Sequence, residues 1–160
     1  MALTFHSAVD DITIYISDSK QIPGFSLYGG LAIVTCLSEQ VVYLEKAFMD
    51  RLTREETEFL IQHEIGHLKL DHLNAFKTLL KVNTDTWKGK FQLFCALVKQ
   101  NYKKHMIEFE ADAYAVANGA SAAAGISMLE KLVPDFEADG LMTDAIRKEV
   151  DKRKAVLAAS

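Results

Sequence analysis

Residues Thr53–His72, TREETEFLIQHEIGHLKLDH, form the most informative segment of this 160-residue chain. Apolar residues recur in it at helical spacing, and Thr53 followed three residues later by Glu56 forms a capping box, which marks a helix start. The segment predicts an amphipathic helix from about residue 54, held in place by burial of one face. We expect this helix to extend to about Lys81, with a bend near Asn74.

The same predicted helix carries the motif H-E-x-x-H at residues 63–67. His63 and His67 lie one turn apart on one face, so both imidazoles can reach a single Zn²⁺ ion. Glu64 lies to the side of this pair, where it can take a proton from a water molecule that the metal activates. The spacing therefore predicts two metal ligands, His63 and His67, and a general base, Glu64.

A catalytic zinc site usually has three protein ligands, so one more ligand is expected. The longer pattern H-E-x-x-H-x-x-G-x-x-H does not fit, because Leu70 and Leu73 occupy the positions of its glycine and third histidine. On a continuous helix His72 would point roughly 180° away from His63. We therefore expect His72 to be an exposed or capping histidine and not a ligand.

Glu108, in the segment Ile107–Ala115, is the better candidate for the third ligand. Glu108 and Asp112 share one face of a predicted helix, and Gly66 on the first helix allows the two helices to approach closely. Asp112 would then accept the free ring N–H of a ligating histidine and fix its tautomer. Glu110 points off this face and is expected to be a solvated surface carboxylate.

Residues 47–72, together with EFEAD at 108–112, resemble the gluzincin metalloendopeptidases of the HtpX and CAAX-prenyl-protease kind. The resemblance covers roughly residues 10–118 and is strongest at the two motifs. It implies a zinc peptidase whose zinc ligands are His63, His67 and Glu108 and whose general base is Glu64. Integral-membrane members have membrane spans where this chain has none, so the chain is more similar to the compact soluble minigluzincins.

Two further expectations concern the substrate. In this class of peptidase an edge strand above the zinc pairs with extended substrate, and Val41–Glu45 is the candidate edge. His105, three residues before Glu108, is a candidate donor to the oxyanion.

Composition agrees with a small peptidase domain that binds no nucleic acid. A chain of 160 residues with 49% hydrophobic content is enough for one domain, 1–160. A net charge of −4 argues against nucleic acid as a partner, and the basic run Arg147–Lys154, interrupted by acidic residues, predicts a solvated helix face. Cys36 and Cys95 do not suggest a disulfide framework.

The ends and apolar stretches of the chain give no sign of export or of a membrane anchor. The N-terminus lacks the features of a secretory signal, and no stretch reaches the about 20 apolar residues of a membrane span. We therefore expect a cytoplasmic protein that acts on peptide or protein substrates.

The predicted fold class is α+β, with a small, mostly antiparallel N-terminal sheet at about 10–48 packed on a helical zinc-binding core. The predicted strands are Ile12–Ser17, Leu31–Leu37 and Gln40–Phe48. The zinc helices occupy about 54–118, with one helix at about 86–100 and the Glu108 helix closing at Asn118-Gly119. The C-terminal helices occupy about 121–158: Ser121 caps a helix to Leu132, Pro134–Gly140 is a loop, and Thr143 opens the last helix toward Leu157.

Two alternatives to a general peptidase fit the same motifs. Regulatory metallopeptidases of the ImmA/IrrE kind have a similar H-E-x-G-H and a later run similar to residues 108–115, although the segment 47–58 favours the first family. A latent or non-catalytic zinc-binding module is the other alternative, and a fourth zinc position blocked by protein would identify it.

Overall fold

The computed structural model of the protein describes residues 3–19, 21–22, 25–26, 31–35, 40–72, 106–140 and 142–160. Its strands are β1 Leu3–Val9, β2 Ile12–Ser17, β3 Gln21–Ile22, β4 Phe25–Ser26, β5 Leu31–Thr35 and β6 Gln40–Glu45. Its helices are α1 Lys46–Met49, α2 Arg54–Lys69, α3 at 106–117, α4 Ala122–Ala138 and α5 Asp144–Ala158. The fold is α+β, as predicted.

The N-terminal sheet has the strand order β1-β2-β6-β5, and a separate hairpin pairs β3 with β4. β1–β2 and β5–β6 pair antiparallel and β2–β6 pairs parallel, so the sheet is mostly antiparallel, as expected. The sequence analysis did not predict β1. That strand lies at an edge of the sheet and is largely exposed, and the alternation of apolar and polar residues that begins at Leu3 breaks at Ser7, where the register shifts.

The prediction that Val41–Glu45 is an edge strand is wrong, because β6 lies between β2 and β5. The physical reason is burial on both faces of this strand. Val41, Val42 and Leu44 are 5%, 0% and 0% exposed, and such continuous burial is typical of an interior strand. The strand also ends at Glu45, where α1 begins, three residues before its predicted end.

Helix α2 begins as predicted, with a capping box. The Thr53 hydroxyl accepts a hydrogen bond from the Glu56 amide at 3.3 Å, and the Glu56 carboxylate accepts one from the Thr53 amide at 2.6 Å. The helix ends at Lys69, and Asp71 then adopts a left-handed conformation with φ 53°. The rest of the predicted helix, from residue 73 to Lys81 with its bend near Asn74, lies outside the described residues. The helix predicted at 86–100 lies outside the described residues.

The C-terminal helices begin where the sequence predicts, but the end of α4 differs from its predicted position. Ser121 and Thr143 cap α4 and α5 as predicted, and α3 closes at Asn118 and Gly119, with Gly119 at φ 91°.

The loop predicted at Pro134–Gly140 is wrong, since α4 continues through Pro134 to Ala138. A proline inside a helix costs about 3 kcal/mol. Leu132 and Phe136 pack against the core on either side of Pro134, and this burial offsets the cost.

A shared core positions the helices on the sheet. Ile12 and Ile14 of β2, Phe59 of α2, Leu129 of α4 and Leu157 of α5 belong to one buried cluster. Among the described helices none is long and apolar enough to cross a membrane.

Candidate metal centre

Three side chains from two helices converge at the end of α2. The donor atoms of His63, His67 and Glu108 all lie within 4.8 Å of one another. The two Nε2 atoms are 3.1 Å apart, and the Glu108 carboxylate oxygens lie 3.5 Å from His63 Nε2 and 3.6 Å from His67 Nε2. The structure thus brings together the three residues that the sequence predicted as ligands.

Small residues where α2 packs on α3 make this convergence possible. A Cβ atom added to Gly66 would lie 3.1 Å from the Cβ of Tyr114, and Ala111 and Ala115 are fully buried. At such distances even an alanine at Gly66 would require Tyr114 to shift by a few tenths of an ångström. The backbone of α3 therefore lies close enough to α2 for the short Glu108 side chain to reach both imidazoles.

Asp112 occupies the position beside His63 that the sequence predicted. Its Oδ1 lies 2.8 Å from His63 Nδ1, and both side chains are 3% exposed. A carboxylate can only accept a hydrogen bond, so Nδ1 of His63 carries a proton and Nε2 is the nitrogen left to bind a metal.

Glu64 lies beside the three converging side chains. Its Oε1 is 3.7 Å from His63 Nε2, and the residue is 2% exposed. Burial raises the pKa of Glu64 from 4.5 to about 7. A carboxyl group with this pKa exchanges a proton readily near neutral pH.

Arg153 is a site residue that the sequence analysis missed. Projecting from α5, it donates to Asp112 through Nε at 2.7 Å and Nη2 at 2.8 Å, and to Glu108 through Nη1 at 2.9 Å. Arg153 is 7% exposed, so the prediction of a solvated face for the run 147–154 is wrong at this position. The missed signal was the spacing, because Val150 and Leu157 place Arg153 on the buried stripe of its helix.

Arg153 and the histidines keep both buried carboxylates ionised. Burial alone would raise the pKa of Glu108 and of Asp112, but the hydrogen bonds to His63 and the charge of Arg153 lower both pKa values. The centre therefore holds two carboxylate charges that can attract a cation.

The two histidines differ in how readily they are protonated. Burial would lower the pKa of His63, but its hydrogen bonds to Asp112 and Glu108 raise that pKa well above 6.5. Burial and the neighbouring charge of His63 lower the pKa of His67. His67 is therefore neutral and ready to bind a metal, whereas His63 must exchange a proton for it.

His72 lies beside the site and does not point away from it as predicted. Its Nδ1 is 2.9 Å from His67 Nδ1, its Nε2 is 3.0 Å from Glu110 Oε2, and its side chain is 6% exposed. The prediction assumed that α2 continues past residue 72, but the helix ends at Lys69. Glu110 is half-exposed, as expected, but is paired with this histidine.

His105, the candidate oxyanion donor, lies outside the described residues.

No protein-family model matches this chain, and no curated protein matches it significantly.

The donor set fits a divalent transition-metal ion. Two imidazole nitrogens and one carboxylate oxygen, buried and convergent, are the ligand types found in catalytic zinc sites, although imidazole and carboxylate ligands also bind other metals. His63, His67 and Glu108 can accordingly hold a metal ion.

Proposed function

We propose that the protein is a zinc-dependent metalloendopeptidase that hydrolyses peptide bonds in peptide or protein substrates. The observation that carries the proposal is the buried Glu64 carboxyl group beside the convergent imidazoles of His63 and His67 and the Glu108 carboxylate. A structural metal site needs its ligands but does not need a further buried carboxyl group next to them.

Each residue has a defined part in this proposal. His63, His67 and Glu108 would hold the zinc ion, which when bound lowers the pKa of a water molecule and polarises the substrate carbonyl group. Glu64 accepts the proton of the attacking water and returns it to the leaving amine. Its pKa, raised by burial to about 7, suits both halves of this exchange.

The proposal includes a way for the sheet to bind its substrate. An extended peptide that adds a strand to the sheet is held by its backbone, and such binding tolerates many sequences. Within the described strands β1 and β5 form the two edges, so the peptide would pair with one of these and not with β6.

Substitution of Glu64 by Gln tests the proposal. The amide keeps the size of the side chain but cannot take up a proton at neutral pH, so Glu64→Gln should abolish peptide hydrolysis while zinc content and thermal unfolding stay as in the parent. Glu58→Gln, the same change at an exposed position of α2, is the matched control and should cut as the parent does. The readout is digestion of a diverse peptide library.

Each outcome separates the alternatives. Cleavage by Glu64→Gln at the parental rate would remove Glu64 as the base. A parent that binds zinc but cuts nothing in the library would favour a regulatory peptidase of narrow specificity or a non-catalytic zinc module.

A further inference from the structure

The end of α2 is a Schellman motif, and this motif places His72 next to a proposed metal ligand. The Asp71 amide donates to the Leu68 carbonyl at 3.2 Å, and the His72 amide donates to the His67 carbonyl at 3.0 Å. Asp71 supplies the left-handed residue, with φ 53°. The chain thereby folds back over the last turn of the helix, and His72 lies beside His67.

A chain of polar contacts then runs from His67 to the surface of α3. His67 Nδ1 is 2.9 Å from His72 Nδ1, and His72 Nε2 is 3.0 Å from Glu110 Oε2. The His72 side chain is 6% exposed and that of Glu110 is 53% exposed. The described contacts of the His72 ring thus join His67 on one side to a carboxylate on the other.

Only one arrangement of protons satisfies this chain when His72 is neutral. The Glu110 carboxylate can only accept, so His72 Nε2 carries the proton and donates it. A neutral imidazole has one donor, so His72 Nδ1 accepts, and His67 Nδ1 must be the donor to it. The lone pair of His67 is then on Nε2, the atom 3.1 Å from His63 Nε2.

A carboxylate therefore fixes the tautomer of each histidine ligand, directly for His63 and through a second ring for His67. Asp112 accepts directly from His63 Nδ1, whereas Glu110 acts on His67 through the imidazole of His72. Both carboxylates lie on α3, which also carries Glu108. One helix thus supplies a ligand and the acceptors that orient the other two.

We propose that His72 and Glu110 are positioning residues that fix the tautomer and ring orientation of His67 and thereby raise the affinity of the site for its metal. The inference rests on metal binding by His63, His67 and Glu108, which is part of the proposed function. It does not depend on peptide hydrolysis.

Substitutions at His72 test whether this residue acts as a hydrogen-bond acceptor for His67 or only packs against it. Asn can place its side-chain oxygen near the position of the His72 Nδ1 atom, whereas Phe keeps a ring and offers no acceptor. We expect His72→Phe, in which His67 loses its acceptor, to lower the Zn²⁺ affinity toward the upper end of about 10–100-fold, the range for loss of an outer-shell partner. His72→Asn keeps the acceptor but loses the contact with Glu110, so it should lower the affinity only about 10-fold, as Glu110→Gln does. Asp112→Asn, which alters the direct partner of His63, is the benchmark, and Glu58→Gln is the neutral control.

Glu110→Gln tests the outer end of the chain. It should lower affinity by about 10-fold, because the amide is a weaker, uncharged acceptor. If Glu110 acts through His72, the double variant His72→Phe/Glu110→Gln should bind zinc no more weakly than His72→Phe alone. Additive losses would show that Glu110 acts by another route.

Zinc affinity is measured by competition with a chromophoric chelator, and the visible spectrum of the Co²⁺-loaded protein reports ligand geometry. Thermal unfolding without metal shows whether each variant folds. Equal affinity of His72→Phe and parent, or equal losses in the Phe and Asn variants, would overturn the proposal. If His72→Phe fails to fold, parental affinity in Glu110→Gln overturns it. A parent that binds no zinc overturns the metal centre as well, which distinguishes the two failures.

Discussion

His63 shows how a single residue links metal binding to pH. In the absence of metal its hydrogen bonds to Asp112 and Glu108 outweigh the effect of burial and raise its pKa above 6.5. Because the pKa of His63 is higher in the folded protein than in the unfolded chain, protonated His63 stabilises the fold. This stabilisation is complete at pH values below the unfolded pKa near 6.5 and is lost as the pH rises through the folded pKa of about 9. A metal ion needs His63 Nε2 deprotonated, while Nδ1 keeps the proton that it donates to Asp112.

We therefore predict that Zn²⁺ binding at pH 7 releases protons. His63 must lose its proton, and Glu64, with a pKa of about 7, should lose part of one as the cation favours the carboxylate. Because Glu108 and Asp112 have lowered pKa values, they are already ionised and contribute nothing. Zinc affinity should consequently increase from pH 6 to pH 8.

Calorimetric titrations in phosphate and in Tris, two buffers of different ionisation enthalpy, measure the released protons. Binding enthalpies that are identical in the two buffers would contradict this prediction.

At the scale of elements, the approach of α3 to α2 decides whether Glu108 reaches the histidines. Gly66 lies at this crossing, where an added Cβ would meet Tyr114 at 3.1 Å. Gly125 lies where α4 meets α2, where an added Cβ would lie 2.5 Å from the ring of the buried Phe59. The two glycines allow close packing at two different faces of the same helix.

We predict that alanine at these two glycines separates packing from metal binding. Gly66→Ala should push α3 outward by a few tenths of an ångström, cost about 1–3 kcal/mol of stability and weaken zinc binding, because Glu108 moves with α3. Gly125→Ala should cost at least as much stability, because the Phe59 ring cannot move aside easily, but should weaken zinc binding less than Gly66→Ala does, because Phe59 touches the His63 ring without being a ligand.

Chemical denaturation and chelator competition measure the two quantities for each variant. Loss of stability without loss of zinc affinity in Gly66→Ala would show that Glu108 is positioned by something other than this helix packing.

At the scale of the whole molecule, the last helix completes a site built on the middle of the chain. Arg153 of α5 donates hydrogen bonds to both Glu108 and Asp112, and the Arg153 side chain is buried. Removing one partner of a buried charge cluster costs about 3–5 kcal/mol, because the remaining charges lose their compensation. The C-terminal helix is thus tied to the metal centre by charge as well as by packing.

We predict that Arg153→Met strongly destabilises the metal-free protein and that zinc restores part of the loss. The bound cation would supply positive charge to the same carboxylates, so the increase in melting temperature on adding zinc should be larger in the variant than in the parent. Arg147→Met on the same helix is the control. Arg147 pairs with Glu137 at the surface, and exposed pairs of this kind contribute little to stability.

Thermal unfolding with and without zinc tests this prediction for both arginines. An Arg153→Met variant as stable as Arg147→Met without metal would show that the buried guanidinium does not compensate the carboxylates.

The local features of this protein can be predicted from its sequence alone. Helical spacing placed His63 with His67 and Glu108 with Asp112, and the capping residues Thr53, Ser121 and Thr143 marked helix starts. These features depend on neighbours within about one turn, so their physics is contained in a short segment.

Features that depend on residues far apart in the sequence become visible only in the folded structure. β6 became an interior strand because β2 and β5 pair on its two sides, and Arg153 reached Asp112 across 41 residues of sequence. Asp71 ended α2 although aspartate is no strong stop signal, and His72 then met Glu110, 38 residues away. Such outcomes follow from packing between segments, whose free energy exceeds the weak local preference of any one residue.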